Sequence, residues 1–267
     1  MKRRFTRSVR AGLAMFLFVC CGFPAVCAEP IKALLITGGG SHDYEHQKTI
    51  LTEGISARAN VVWTIMDEGE HDKVPRDHMA TVYNKPNWSK GYDVIVHDEC
   101  YGTVSNLDFV EGVARGHASG VPAVVLHATI HSYRYAKTDE WRKVLGVSSF
   151  RHQAARPFKV ISLKTDNPVM KGFPDEWQDY SDELYEIVKV WPNCVPLARG
   201  LGTNNTEFPV IWVNTYHDAR VFGTTLGHGN KTVGDPVYLD LVTRGLLWAC
   251  GRLDENGKPM AGYGPSK

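Results

Sequence analysis

Hydrophobic residues along this chain fall in short, nearly unbroken runs. Ile31–Thr37, Val61–Met66, Tyr92–His97 and Val121–Leu126 are four of them, rich in β-branched and small apolar residues. A run of this length fits a strand buried on both faces, as at the centre of a parallel sheet. Between them lie stretches of helical spacing, from about Glu45 to Arg58 through Ile50, Leu51 and Ile55, and from Leu107 to His117. The alternation predicts an α/β fold, a doubly wound and mostly parallel sheet with helices on both faces. After Val121–Leu126 the texture changes. Glu140–Leu145 reads as a short helix, and Phe158–Leu163, Pro209–Val213 and Arg220–Leu226 as shorter strands with more turns. The last helix runs from Val237 to Cys250, with Leu241, Leu246, Leu247 and Trp248 apolar. His71 to Lys90 is a polar loop punctuated by Pro75 and Pro86, long enough to carry function.

The two ends stand apart from this pattern. Lys2, Arg3, Arg4, Arg7 and Arg10 precede an apolar run from Gly12 to Phe23, and Val26-Cys27-Ala28 offers a small-residue cleavage site. Residues 1–28 therefore read as a secretory signal peptide, too short for a membrane span. Cys20, Cys21 and Cys27 lack the Leu-small-small context of a lipoprotein, so ordinary cleavage after Ala28 is expected, with release to the periplasm or outside. The domain then covers 29–253, and the polar, Gly- and Pro-containing tail 254–267 is expected to be loosely held. Removing the five basic residues of the leader from 30 Lys+Arg leaves 25 against 29 Asp+Glu, a net charge of −4. That balance argues against a nucleic-acid or anionic-membrane partner. Cys100, Cys194 and Cys250 remain, an odd number without CxxC spacing, so buried thiols or at most one bridge are expected.

Candidate chemistry collects where the strands end. His42 follows the first strand, Asp98 and Glu99 the third, His127 and His131 the fourth, and His228 the last long one. In a parallel sheet these carboxyl ends open on one edge, where ligands bind. If an α-helical turn starts after Leu126, His127 and His131 share a face at i and i+4. Glycines beside His42 and His228 let backbone approach a ligand. Gly38-Gly39-Gly40 lacks the spacing of a nucleotide loop. No GxSxG elbow occurs, and Ala128 and Thr129 stand where an amidotransferase nucleophile would follow the central strand, with no cysteine near in sequence. Covalent thiol catalysis is not expected.

Leu34–Gly39 with His42-Asp43, His127 with His131, Asp182–Tyr185, Pro209–Trp212, Thr224–His228 and Arg244–Ala249 together resemble the ThuA-like, or trehalose-utilisation, proteins. The resemblance spans about residues 31–252. It implies a flavodoxin-like sheet of the class I glutamine amidotransferase superfamily without the nucleophile, and a role in use of trehalose and related disaccharides. It also implies a divalent metal at the sheet edge, with His42, His127, His131, His228 and Glu183 at the matching positions. The leader departs from the many cytoplasmic members and moves the substrate outside the cytoplasm.

Two functional expectations follow. The first is an exported, metal-assisted enzyme acting on a disaccharide or keto-glycoside by isomerisation, elimination or hydrolysis. His42, His127 and His228 would hold the metal, zinc by preference, with Glu183 or Glu99 as ligand or base and His131 as a proton-moving neighbour. Three ligands on one zinc need donor atoms within roughly 3–4 Å of each other. The second is a non-catalytic sugar-binding module, with Tyr101, Tyr133 and Tyr185 stacking on the rings of a small carbohydrate. The oligomeric state is left open.

Overall fold

The computed structural model describes residues 28–68 and 73–266. The leader falls outside these except for Ala28. In chain order the elements are β1 (Ile31–Gly39), α1 (Tyr44–Ser56), β2 (Val61–Asp67), β3 (Val94–Cys100), α2 (Leu107–Ala118), β4 (Ala123–Leu126), α3 (Glu140–Leu145) and β5 (Val147–His152). Then come β6 (Lys159–Ser162), β7 (Glu176–Gln178), β8 (Tyr185–Val190), β9 (Val195–Leu201), β10 (Glu207–Tyr216), β11 (Ala219–Thr224), α4 (Asn230–Val233) and α5 (Pro236–Ala249). Side chains at the helix starts explain the boundaries: Asn106 Oδ1 accepts the Phe109 N–H, and Asp235 Oδ1 the Val237 N–H behind Pro236.

One sheet holds the strands in the order β2-β1-β3-β4-β11-β10-β9-β6-β7. From β2 to β11 every neighbour is parallel, and from β11 to β7 every neighbour is antiparallel. The parallel half is the expected one. Leu35, Val96 and Val124 pack on one face with Leu51 and Ile55 of α1 and Leu241, Val242 and Leu246 of α5. Leu34, Ile36, Ile95 and Val125 pack on the other with Val110 and Val113 of α2 and Trp141 and Val144 of α3. The antiparallel half is larger than the apolar runs suggested: β7 and β9, and the separate β5-β8 pair, were not anticipated. These strands are half-exposed, with Val188 and Val195 facing solvent, so their alternating polar residues hide the run that marks a central strand.

The tail was expected to be loose, yet residues 254–266 return to the sheet. The Asn60 N–H donates to Tyr263 O at 3.0 Å, its side-chain amide to Gly262 O at 3.2 Å, and Arg252 lies 4.7 Å over the Tyr263 ring. Backbone pairing of this kind is invisible to composition.

Candidate functional site

The parallel register brings the predicted strand ends together. Thr37 of β1 lies opposite Asp98 of β3, and Leu126 of β4 opposite Thr224 of β11. His42, His127, Glu183 and His228 meet at that edge, each offering one ligand atom, all within 4.8 Å of one another. Ring centroids of the three histidines are 4.8–5.4 Å apart and their planes stand edge to face.

Each ring is aimed by its backbone. His127 opens a 3-10 turn, His127–His131, with its own φ at +36°, in the left-handed region that non-glycine residues seldom adopt. This places Nδ1 2.6 Å from Thr225 O. Only an N–H can donate to that carbonyl, so a neutral His127 keeps its lone pair on Nε2, facing the cluster. Nε2 is buried without a hydrogen-bond partner and stands 3.6 Å from Glu183 Oε2. His228 Nδ1 is also buried without a hydrogen-bond partner, again 3.6 Å from Glu183 Oε2. A ring nitrogen tied to a carbonyl, with the other held open toward neighbouring donors, is the arrangement metal-binding histidines use. The residues present form a group that could hold a metal ion.

Asp182 supports the cluster from beneath. Fully buried, it accepts the Gly227 N–H at 2.7 Å and the His228 N–H at 3.1 Å, and its Oδ1 lies 3.6 Å from His127 Nδ1. Gln47 of α1 donates to Gly227 O and His228 O at 3.2 Å, and Asn230 to Asp43 at 2.7 Å, lacing the loop after β1 to the loop after β11. Gly227 at φ +120° has no room for a side chain, since a Cβ would lie 2.7 Å from Tyr238 Oη.

The electrostatics follow from burial and crowding. Desolvation, then the neighbouring His127 and His228, lowers the His42 pKa to about 2, so it stays neutral. Burial and His127 lower His228 as well. For His127 burial opposes the charge, but the Glu183 and Asp182 carboxylates and Thr225 O outweigh it and raise the pKa. Glu183 is held down to about 2: burial works against ionisation, and the surrounding imidazoles, His127 first, prevail. It is a carboxylate across the ordinary pH range.

Several expectations need correction. In a 3-10 turn, residues four apart diverge by about 120° rather than the roughly 40° of an α-helix, so His127 and His131 do not share a face. His131 Nε2 lies 3.0 Å from Ser149 Oγ, and its ring stacks on Tyr185 at 3.9 Å. Burial, then Arg134, lowers its pKa to about 2. Glu99 is neither ligand nor base here. Strand alternation turns it and His97 to the opposite layer, where Glu99 Oε1 accepts the Tyr83 hydroxyl at 2.7 Å and lies 3.0 Å from His97 Nδ1. Asp98 stays on the cluster side of the sheet, its carboxyl pushed up to about 7 by burial and by Glu99. Tyr101 and Tyr133 are buried in the α2–α3 layer, Tyr101 donating to Glu68 O at 3.0 Å, so neither offers a ring to a sugar. Cys100, distant from the central strand in sequence, does reach the crevice wall, but burial pushes its thiol up to about 11. Cys100, Cys194 and Cys250 are all free.

A crevice of about 250 Å³ opens beside the cluster, walled by His42, Arg76, His131, Arg134, His152 and Glu183 among others, with Tyr185 at its base. His152 was passed over in the sequence and lies with Nδ1 3.5 Å from Glu183 Oε1. Arg76 and Arg134 were missed too. Asp182 was visible in a motif, but no spacing announced its backbone contacts.

Fold and cluster define the class: a doubly wound α/β sheet carrying three histidines and a carboxylate at the carboxyl edge of its parallel strands. The chain belongs to the ThuA family, described as trehalose utilisation, whose model matches residues 32–249; the family connects it with carbohydrates. A ThuA-like protein from Parabacteroides merdae is similar in structure (TM-score 0.64, 20% identity, 89% of this chain and 98% of that one). Another from Bacteroides uniformis gives 0.58 at 17% identity, covering 89% and 99%. PurLQS from Thermotoga maritima shares the fold at 0.51 and 12% identity, over 82% and 98%. No curated protein matches the chain in sequence.

Proposed function

We propose that this chain is an exported, metal-assisted carbohydrate enzyme acting on a disaccharide or keto-glycoside. One observation carries the reading: His127 Nε2 and His228 Nδ1, buried without hydrogen-bond partners, both face Glu183 Oε2 at 3.6 Å, with His42 beside them. His42, His127, His228 and Glu183 would hold the cation. When bound, it supplies Lewis acidity to a substrate carbonyl or hydroxyl. Three imidazoles and a carboxylate form a donor set that zinc would accept.

The protein's own groups do the rest. Thr225 O fixes the His127 tautomer, and Asp182 holds His228 in place. His152, partly open to the crevice with Nδ1 3.0 Å from Gln153 O and 3.5 Å from Glu183 Oε1, would exchange a proton with substrate. A carbonyl acidifies the adjacent C–H, so His152 would take that proton and return it to carbon in isomerisation, or to the leaving glycosidic oxygen in elimination.

Elemental analysis of purified mature protein tests the reading. About one divalent ion per chain is expected, lost in His127→Ala. Metal-free wild-type protein that binds sugar as tightly as the metal-loaded form would favour the binding-module alternative.

A further inference from the structure

The crevice wall carries more positive charge than the imidazole cluster needs. Arg76 and Arg134 stand there with one carboxylate, Glu183, which is already engaged with His127, His152 and His228. Among the described residues, neither guanidinium pairs with an acid. The Arg76 guanidinium donates, among the described residues, to Ser41 Oγ at 3.4 Å. Arg134 donates to Phe150 O at 3.3 Å, and its Nε is buried without a partner. The buried Arg134 Nε is costly to leave unpaired unless a ligand takes it up, and Arg76, exposed beside it, is free to close on the same ligand.

Both arginines are anchored to the same segment after β3. The Thr103 N–H donates to Arg76 O at 3.1 Å, and the Tyr133 N–H, just before Arg134, to Tyr101 O at 3.2 Å. Gly102 lies between these ties. Gly102 also lies beside the guanidinium, since a Cβ there would sit 3.7 Å from Arg134 Nη2. Neutral sugar rings, by contrast, would look for an open aromatic face. Tyr185 does not offer one, because His131 covers it at 3.9 Å and His152 stacks at 5.5 Å.

We propose that this crevice selects an anionic carbohydrate, whose carboxylate, sulfate or phosphate group is held by Arg76 and Arg134 while its hydroxyls face the imidazole cluster. The planar forks of two guanidinia match such an oxyanion, which a sugar hydroxyl does not. The proposal names the substrate class of the site described above and rests on that reading for the orientation of the sugar.

Calorimetric titration of mature protein tests it, with metal content measured on the same sample. The probes are D-glucuronate, glucose 6-sulfate, glucose 6-phosphate and neutral glucose. At least one anionic sugar is expected to bind about tenfold or more tighter than glucose, with the preference shrinking as salt is raised. The three anionic arms show which oxyanion fits. Arg76 is exposed, so Arg76→Gln spares the fold and should weaken the preferred sugar roughly 10- to 100-fold. Arg134→Lys keeps the charge, loses the fork and should weaken it in the same sense, with metal content unchanged in both. If no anionic sugar outcompetes glucose, or Arg76→Gln leaves the preference intact, the proposal is overturned even at full metal occupancy. Absence of metal with the preference retained would instead end the metal reading and support this one.

Discussion

At the scale of single residues, Asp182 sets a site it does not enter. Its oxygens are spent on the backbone N–H groups of Glu183, Gly227 and His228 at 2.7–3.1 Å. Those three contacts place two of the four cluster residues at once. Replacing Asp182 with Asn removes the charge and gives one oxygen where two accepted, leaving a buried donor unsatisfied. Groups that orient ligands in this way typically change metal affinity by about 10–100-fold. Competition titration against a chelator should show a loss of that size for Asp182→Asn. An unchanged affinity would mean that Gln47 and Tyr238 hold the loop without it.

Between elements, the decisive features are two irregular junctions: the 3-10 turn after β4 and the glycine turn after β11. Gly227 takes φ +120°, and an added Cβ would press on Tyr238 Oη, which itself donates to Leu226 O at 3.3 Å. Gly227→Ala is expected to cost about 1–3 kcal/mol in urea unfolding and to lower metal occupancy, because the neighbouring His228 moves with the turn. Unfolding at the wild-type midpoint, with full metal retained, would refute the strain argument.

For the molecule as a whole, buried histidines couple folding to pH. His117 is fully buried, with Nδ1 2.8 Å from Val121 O and Nε2 3.0 Å from His97, and burial followed by His97 lowers its pKa to about 3. The unfolded chain takes up a proton here below its ordinary value near 6.5, and the folded chain refuses it until about 3. Stability is therefore present above about 6.5 and falls as pH drops through that window, by about 1.4 kcal/mol per pH unit for one such group. Asp98 and Asp179, raised to about 7 chiefly by burial, act in the opposite sense and flatten the total. The contribution is isolated by comparing denaturant unfolding of wild type and His117→Asn from pH 4 to 7. The variant should be less stable at pH 7 and show the shallower slope, and parallel slopes would rule this out.

What the sequence determined by itself is the parallel half of the sheet and the list of residues at its edge. Unbroken runs such as Ile31–Thr37 and Val121–Leu126 record burial on both faces, and the right-handed connectivity of such strands puts their carboxyl ends together. His42, His127 and His228 were legible for that reason, whatever their separation along the chain. Tertiary structure decided the rest. Whether Glu99 joined the site depended on strand phase, which turned it toward Tyr83, and whether His131 joined depended on a turn of three residues rather than 3.6. Tyr101 and Tyr133 were lost to the core, and His152, Arg76 and Arg134 came in from half-exposed strands and loops that carry no periodic signal. Periodicity reports which face a residue takes within its own element. Which loop closes over which, and which donors are left without partners there, is settled only when separate elements pack.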